Sequence, residues 1–355
     1  MLTETISRVK RYIGQYQNIQ IAFAQERQED GFPAALALFY TLKDLGKNAT
    51  LLNRPLPEKY QFLIQAEKMS PVQSNFLIAI KEDNAKIDEL SYKKTTFGIN
   101  IFLKTKGELK PSDIMLEPTL QDTLLITTGI KCLKEIEGLL SNSTYLVLNI
   151  DNNPENEHFG QVNLIEPAYA SVCEIVFEII KEVANLNNPL VCLAMATGII
   201  NQTTGALRKQ TLNKLQELTS QHVDFTLIAN QLFPENAQKR LFVKTLERLE
   251  ESQKEIGFVS LEARDFIETN SLPNNLSFTL ERALAFPFKE SVFLWEQNMS
   301  PLFVRGIFIS QEPKKKEALK NVFGGQEKGR ALLFNTNFSN VKEAKEKISQ
   351  ILQNI

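Results

Sequence analysis

Short apolar runs rich in β-branched residues recur along the first half of the chain: IQIAFA (19–24), ATLLN (49–53), NFLIAI (75–80), TLLITT (123–128) and TYLVLNI (144–150). Such runs, with helical stretches between them, predict alternating β and α units around a mostly parallel sheet. PAALALFYTLKDLGK predicts a helix that stops at Gly46 beside Lys47, an ordinary glycine terminus. After residue 160 the pattern turns helical in ASVCEIVFEIIKEVANL, PLVCLAMATGIINQ and LRKQTLNKLQELTSQ, the last with Leu207, Leu212, Leu215 and Leu218 in step.

The charged stretch PENAQKRLFVKTLERLEESQKE (234–255) predicts a helical connector. Strand patterns then return in GFVSLEA, ESVFLWEQ and LFVRGIFIS, alternating with helical ERALAF and a terminal VKEAKEKISQILQNI. The expected organisation is an α/β domain over 1–235 with a mostly parallel sheet flanked by helices, a helical linker over 236–255, and a smaller mixed α/β domain over 256–355. There is no internal repeat and no low-complexity tract.

Composition narrows the function. Forty Lys+Arg stand against 42 Asp+Glu, so no global field attracts a phosphate backbone and extensive duplex DNA binding is not expected. No apolar run is long enough for a membrane span, and the charged start lacks a signal-peptide core; a cytoplasmic protein with no membrane partner is the expectation. Cys132, Cys173 and Cys192 lie among apolar neighbours and read as reduced thiols. With two histidines, His158 and His222, a metal cage or mechanism needing several imidazoles is excluded by counting. Ser171 opens a helix without a Gly-x-Ser-x-Gly context, and no G-x-G-x-x-G fingerprint is present, which argues against a serine hydrolase and a dinucleotide-binding Rossmann enzyme.

The strand YLVLNI runs directly into Asp151-Asn152-Asn153-Pro154, then NEHFGQVNLIEP, then the helix ASVCEIVFEII. Polar side chains at the C-terminal end of a parallel strand face the crevice where α/β folds place ligands. The arrangement resembles the DHH phosphoesterases, where a strand ends in Asp-His-His-Pro and a Phe-Gly loop, a short strand and a helix follow. IAFAQERQEDGFPAALALF resembles the family's first motif, MATGIINQTTGALRKQ its Thr-Gly-Ile-Ile element, and NVFGGQEKGRALLF the Gly-Gly region of its associated C-terminal domain. The four segments follow the family's order over nearly the whole chain, closest to its oligoribonuclease and nucleotide-phosphatase branch.

That resemblance implies a cleft for a nucleotide or short single-stranded oligonucleotide, and a pair of manganese ions held by about four carboxylates plus imidazoles. The ligand positions are largely replaced. The first-motif His falls at Ala24 and its first Asp at Gln28, leaving Asp30. The acid after TLLITT becomes Thr128 or Gly129. Asp151 is kept, but both histidines are Asn152 and Asn153. The fourth element has Gln202, and the C-terminal His falls near Gln326. Two carboxylates against the four positive charges of two divalent ions leave a large uncompensated charge, so no catalytic residue, metal site or cofactor is expected, and the chain reads as a non-catalytic homologue.

The expected ligand-binding set is Asp30, Asp151, Asn152, Asn153, Gln202, Arg208, Gly324, Gly325 and Arg330. Asp30 and Asp151 read either as a one-metal remnant or, in the favoured view, as cap or turn residues. Arg208 beside Lys209 reads equally as a phosphate contact or a surface arginine, Gly324-Gly325 offers backbone amides to an anion, and His158 reads as a solvated loop residue. The alternatives are an active phosphoesterase using Asp30, Asp151 and His158 or Glu29 with manganese, and an interaction protein whose cleft is filled by Phe32 and its neighbours. A homodimer is compatible with either.

Overall fold

The computed structural model describes residues 2–52, 55–65, 76–82, 84–118, 123–140, 145–203, 207–252, 255–283, 286–297 and 303–355. Several positions of the expected elements lie outside the described residues: Asn53, Asn75, Thr144 and Leu302 at strand ends, Thr204, Gly205 and Ala206 of the fourth motif, Gln253 and Lys254 of the connector, and Leu284 and Ala285.

The chain begins with α1 (Leu2–Gln15), β1 (Asn18–Phe23), α2 (Gln28–Asp44) and β2 (Asn48–Leu51). Helix α2 ends where Gly46 turns the backbone at φ 74°, as its sequence predicts, and Lys47 donates to the Gly14 and Tyr16 carbonyls. Next come β3 (Phe76–Ile80), β4 (Ala85–Thr95), β5 (Gly98–Gly107) and β6 (Ile114–Pro118), then β7 (Thr123–Thr128), β8 (Tyr145–Asp151) and β9 (Val162–Ile165). The central sheet has the order β2-β1-β7-β8-β9 with every pairing parallel. Alternation along β1 sends Ile19, Ile21 and Phe23 into the main core, while Ala22 joins Leu125 and Val147 in a smaller cluster on the other face.

One expectation is corrected. The NFLIAI run does not enter the parallel sheet: β3 pairs antiparallel with β6 in a separate two-stranded sheet, and β4 pairs with β5 as a ribbon. A short continuous apolar run carries no information about which partner satisfies its backbone, so composition alone could not separate the two outcomes.

Five helices follow: α3 (Val172–Val183), α4 (Pro189–Gln202), α5 (Lys209–Ser220), α6 (Phe225–Leu232) and α7 (Ala237–Glu247). The charged connector proves to be packed. Leu241, Phe242, Val243 and Leu246 of α7 are buried, and so are two of its basic residues. Arg240 donates to the Phe233, Pro234, Thr269 and Asn270 carbonyls, and Lys244 pairs with Glu247, Asp265 and Glu268. These two charges are held inside because each finds acceptors.

The remainder comprises β10 (Leu249–Glu251), β11 (Ile256–Leu261), α8 (Ala263–Glu268), α9 (Leu276–Ala283), β12 (Glu290–Gln297), β13 (Phe303–Ile309), α10 (Pro313–Phe323), β14 (Gln326–Lys328), β15 (Ala331–Asn335) and α11 (Val341–Gln353). Its mixed sheet runs β10-β11-β12-β13-β15-β14, parallel only between β11 and β12. One face, with Val259, Leu261, Phe293 and Trp295, continues the main core. The other packs under Leu319 of α10 and Ile348 of α11.

Gly198 of α4 sits where three helices meet. A Cβ there would lie within van der Waals overlap of Cys173 Sγ on α3 and 3.1 Å from Pro33 Cβ on α2. Gly198→Ala is therefore expected to cost about 1–3 kcal/mol, read as a lower urea midpoint with an unchanged slope; an unaltered midpoint would show that the helices can separate freely.

Candidate functional site

Three segments converge at the C-terminal edge of the parallel sheet. β1 delivers the chain to Ala24, whose N–H donates to the Thr128 carbonyl (3.2 Å), and α2 starts four residues later. Thr128, at the end of β7, donates through Oγ1 to the Gly31 carbonyl (2.8 Å). β8 ends in Asp151. Helix α4 closes the group through a defect in α2: Pro33 has no N–H, so the Glu29 carbonyl four residues back loses its helical donor. Asn201 Nδ2 donates to it instead (3.1 Å) and also reaches the Tyr60 hydroxyl (2.8 Å).

Arg27, the residue before α2, occupies the centre. Its Nη1 donates to Asp151 Oδ1 (2.9 Å) and its Nη2 to Asn152 Oδ1 (2.7 Å), while Nη2 stands 3.7 Å from Asp30 Oδ2. Both aspartates have no solvent exposure, whereas the arginine side chain keeps 34%. One guanidinium thus bridges the two carboxylates and the first of the two asparagines.

The remaining lone pairs are taken by the protein. Asp30 lies across the N-terminus of α3, accepting from the Val172 N–H at Oδ2 (2.8 Å) and from the Cys173 N–H at Oδ1 (3.2 Å); two of the helix's orphan donors are satisfied by a carboxylate from another helix. Asp151 Oδ1 accepts from its neighbour's N–H and Oδ2 from Asn156 Nδ2 (2.9 Å). Behind it runs a buried neutral ladder in which Thr127 donates to Asn149, and Asn149 donates to Asn156. Ser171 caps α3 by accepting from the Glu174 N–H, and Glu174 Oε1 accepts from the Ala170 N–H and from Thr211, so the helix start is tied down from both sides.

Burial, its largest cause, pushes the Asp30 carboxyl up to about 6 from the ordinary 3.8. The Val172 and Cys173 N–H groups and Arg27 pull it down, and Asp151 adds to the rise. Burial likewise raises the Cys173 thiol, further lifted by Asp30 and Glu174, so this cysteine is an inert core residue.

The sequence-derived candidates separate into two groups. Asp30, Asp151 and Asn152 are together, tied by Arg27. Asn153 turns the loop, accepting from the Glu155 N–H (3.0 Å). Gln202 is half-buried at the end of α4, and Arg208 is exposed at the cap of α5. Gly324 and Gly325 form an exposed turn after α10 with φ of 70° and 111°, and Arg330 is exposed beyond β14.

His158 and Glu29 are both exposed, and among the described residues no three His, Cys, Asp or Glu side chains form a metal-holding group. The donor set does not fit a dinuclear manganese centre: two carboxylates already engaged by a cation and backbone donors cannot also hold four positive charges. Phe32 is buried, with ring centroids 4.9 Å from Phe23 and 5.6 Å from Tyr60. Arg27 and the Thr127-Asn149-Asn156 ladder were missed by sequence reasoning. The signal for Arg27 was its place three residues before Asp30.

No protein-family model matches the chain, and no curated protein matches its sequence. Among solved structures it is similar to an exopolyphosphatase-related protein from Bacteroides fragilis, at 14% identity and a TM-score of 0.48 over 99% of this chain and 96% of that one. It is also similar to RecJ in complex with Mn2+ from Thermus thermophilus, at 9% identity and a TM-score of 0.33, covering 100% of this chain and 55% of that one.

Two predictions follow from the charge geometry. Arg27→Met strands two buried carboxylates and is expected to lower stability by about 1–3 kcal/mol, less than for a fully buried pair because a third of the arginine is solvated. Arg27→Lys should restore only part of this in urea unfolding, since an ammonium lacks the planar fork. The Asp30 carboxyl should titrate by carbon-detected NMR with a midpoint near 6, moving higher in Arg27→Gln. As its folded value lies above its unfolded one, its contribution to stability is full below about pH 4 and is lost as the pH rises through about 6. A midpoint near 4 would contradict the burial described.

Proposed function

We propose that the chain is a non-catalytic homologue of the DHH phosphoesterases, a binding or regulatory protein whose cleft takes a phosphorylated nucleotide or short single-stranded oligonucleotide. The observation that carries this reading is Arg27, seated between Asp30, Asp151 and Asn152. In a metal-dependent phosphoesterase, divalent ions generate hydroxide and neutralise the phosphate in the transition state. Here a single permanent positive charge stands against the two carboxylates. A guanidinium has no coordination position at which to hold and ionise a water, and it cannot accept a proton at neutral pH. The amides Asn152, Asn149 and Asn156 hold the loop by hydrogen bonds without adding charge.

The kinship is supported by the motif order and by the gathering of Asp30, Thr128 and Asp151 around one point. Asp30 and Asp151 act internally, as anchors of Arg27. Ligand contact falls instead to groups that keep exposure: Asn153, Gln202, Arg208, the amides of Gly324 and Gly325, and Arg330. The localisation that suits this role is cytoplasmic, and no helix of the described residues is long and apolar enough to cross a membrane.

Calorimetric titration with manganese is expected to show no stoichiometric uptake, and short oligoribonucleotides incubated with the protein and manganese should release no mononucleotide. A mononucleotide or dinucleotide should still raise the melting temperature. Uptake of two ions per chain with product release would overturn the non-catalytic reading, and absence of any thermal shift would overturn the nucleotide cleft.

A further inference from the structure

Between β2 and β7 the chain builds a feature that the proposed site does not use. β4 and β5 form a two-stranded ribbon, hydrogen-bonded to each other and to no further strand among the described residues. At about 3.4 Å per residue it is roughly 34 Å long. Its register shifts between Ile87 and Glu89. That one-residue bulge switches parity, so Ile87 before it and Leu90 and Tyr92 after it fall on the same face, together with Ile99, Ile101 and Leu103 of the other strand.

This face is bare. Leu90 is 61% exposed, Tyr92 67%, Ile99 59% and Ile101 44%, and Phe97 at the turn is fully exposed. A two-stranded ribbon is marginal in water by itself, and an apolar stripe of this kind, on the order of 500 Å², lies near the top of what monomers leave uncovered.

The charges decide what covers it. Lys86, Glu89, Lys93, Lys104 and Lys106 lie on the opposite face, where Phe102 is the one large apolar side chain; Lys94, next to the turn, is the one lysine of the ribbon on the apolar side. A nucleic-acid strand or an anionic lipid surface meeting the apolar face would find most lysines pointing away from it. On that face Tyr92 alone carries a ring on which a base can stack, with Phe97 at the turn, too few for a run of successive bases.

An occupant with an apolar face, a wet back and the same length fits, and a second copy of the ribbon has all three. Packed face to face, two ribbons give a small sandwich, apolar inside and mostly polar outside. A two-fold axis makes the contact self-complementary. Run antiparallel, each turn with its bare Phe97 reaches the partner's stalk, where Ile78 and Ile114 are each 42% exposed. Covering both faces and both turns removes on the order of 1,200–1,500 Å², within the range of stable specific interfaces.

We propose that the β4–β5 ribbon is a dimerisation arm that packs face to face with the ribbon of a second copy. Sedimentation velocity on the full chain at about 10 μM should show twice the 40.3 kDa monomer mass. Tyr92→Glu with Ile101→Glu should weaken the dimer by roughly hundredfold or more, whereas Ser91→Glu with Lys93→Glu, on the opposite face, should leave it intact. Hydrogen exchange of the unmodified protein gives a readout free of folding artefacts: protection of residues 85–107 should rise with protein concentration. A monomeric wild type, a dimer that survives the apolar-face change, dissociation by the opposite-face change, or exchange independent of concentration would each overturn the arm.

Discussion

Two carboxylates without solvent exposure stand within reach of one guanidinium, and the edge of the parallel sheet is organised around that requirement. An ionised carboxylate in a dry interior is tolerated only with a counter-charge and with its lone pairs engaged. Asp151 is met by Arg27, a backbone N–H and Asn156; Asp30 is met by Arg27 and the first amides of α3. The helix start, the strand end and the loop beyond it are held in register by one cation supplied by the chain itself. On the proposed reading, a side-chain cation at this place offers no open coordination position for an activated water.

The neutral residues around that cation are consistent with one another. A loop carrying two imidazoles beside Arg27 would add donors competing for the same carboxylate. Asn152 instead presents an amide oxygen to Arg27 and an amide hydrogen to the Tyr169 carbonyl, and Thr128 directs its hydroxyl to the backbone of α2. Glu174 holds the start of α3 and Gly198 is a contact point between helices. These residues hold the segments at the sheet edge in place.

Much of this was legible in the chain. Strand ends carrying Asp151 and Thr128 and the helix stop at Gly46 follow from local rules, and the neutral side chains at Gln28, Asn152, Asn153 and Gln202 could be read directly off the chain; the contact of Asp30 with the start of α3 joins residues 142 apart and could not. What was hidden has physical causes. Arg27 sits in a polar run, AQERQED, where any of several charges could face the site, and only the fold selects one. The run at 76–80 reads alike for a parallel or an antiparallel partner. The β4–β5 ribbon is masked by its bulge, which breaks the alternation that would have revealed it. In α7 the connector pattern gave no sign that Arg240 and Lys244 are buried with partners.

The most direct test is a crystal structure from crystals grown in excess manganese, with data collected at the manganese edge. The account predicts guanidinium density joining Asp30, Asp151 and Asn152 and no anomalous peak there. A pair of strong anomalous peaks between residues 30 and 151, with Arg27 displaced into solvent, would contradict it.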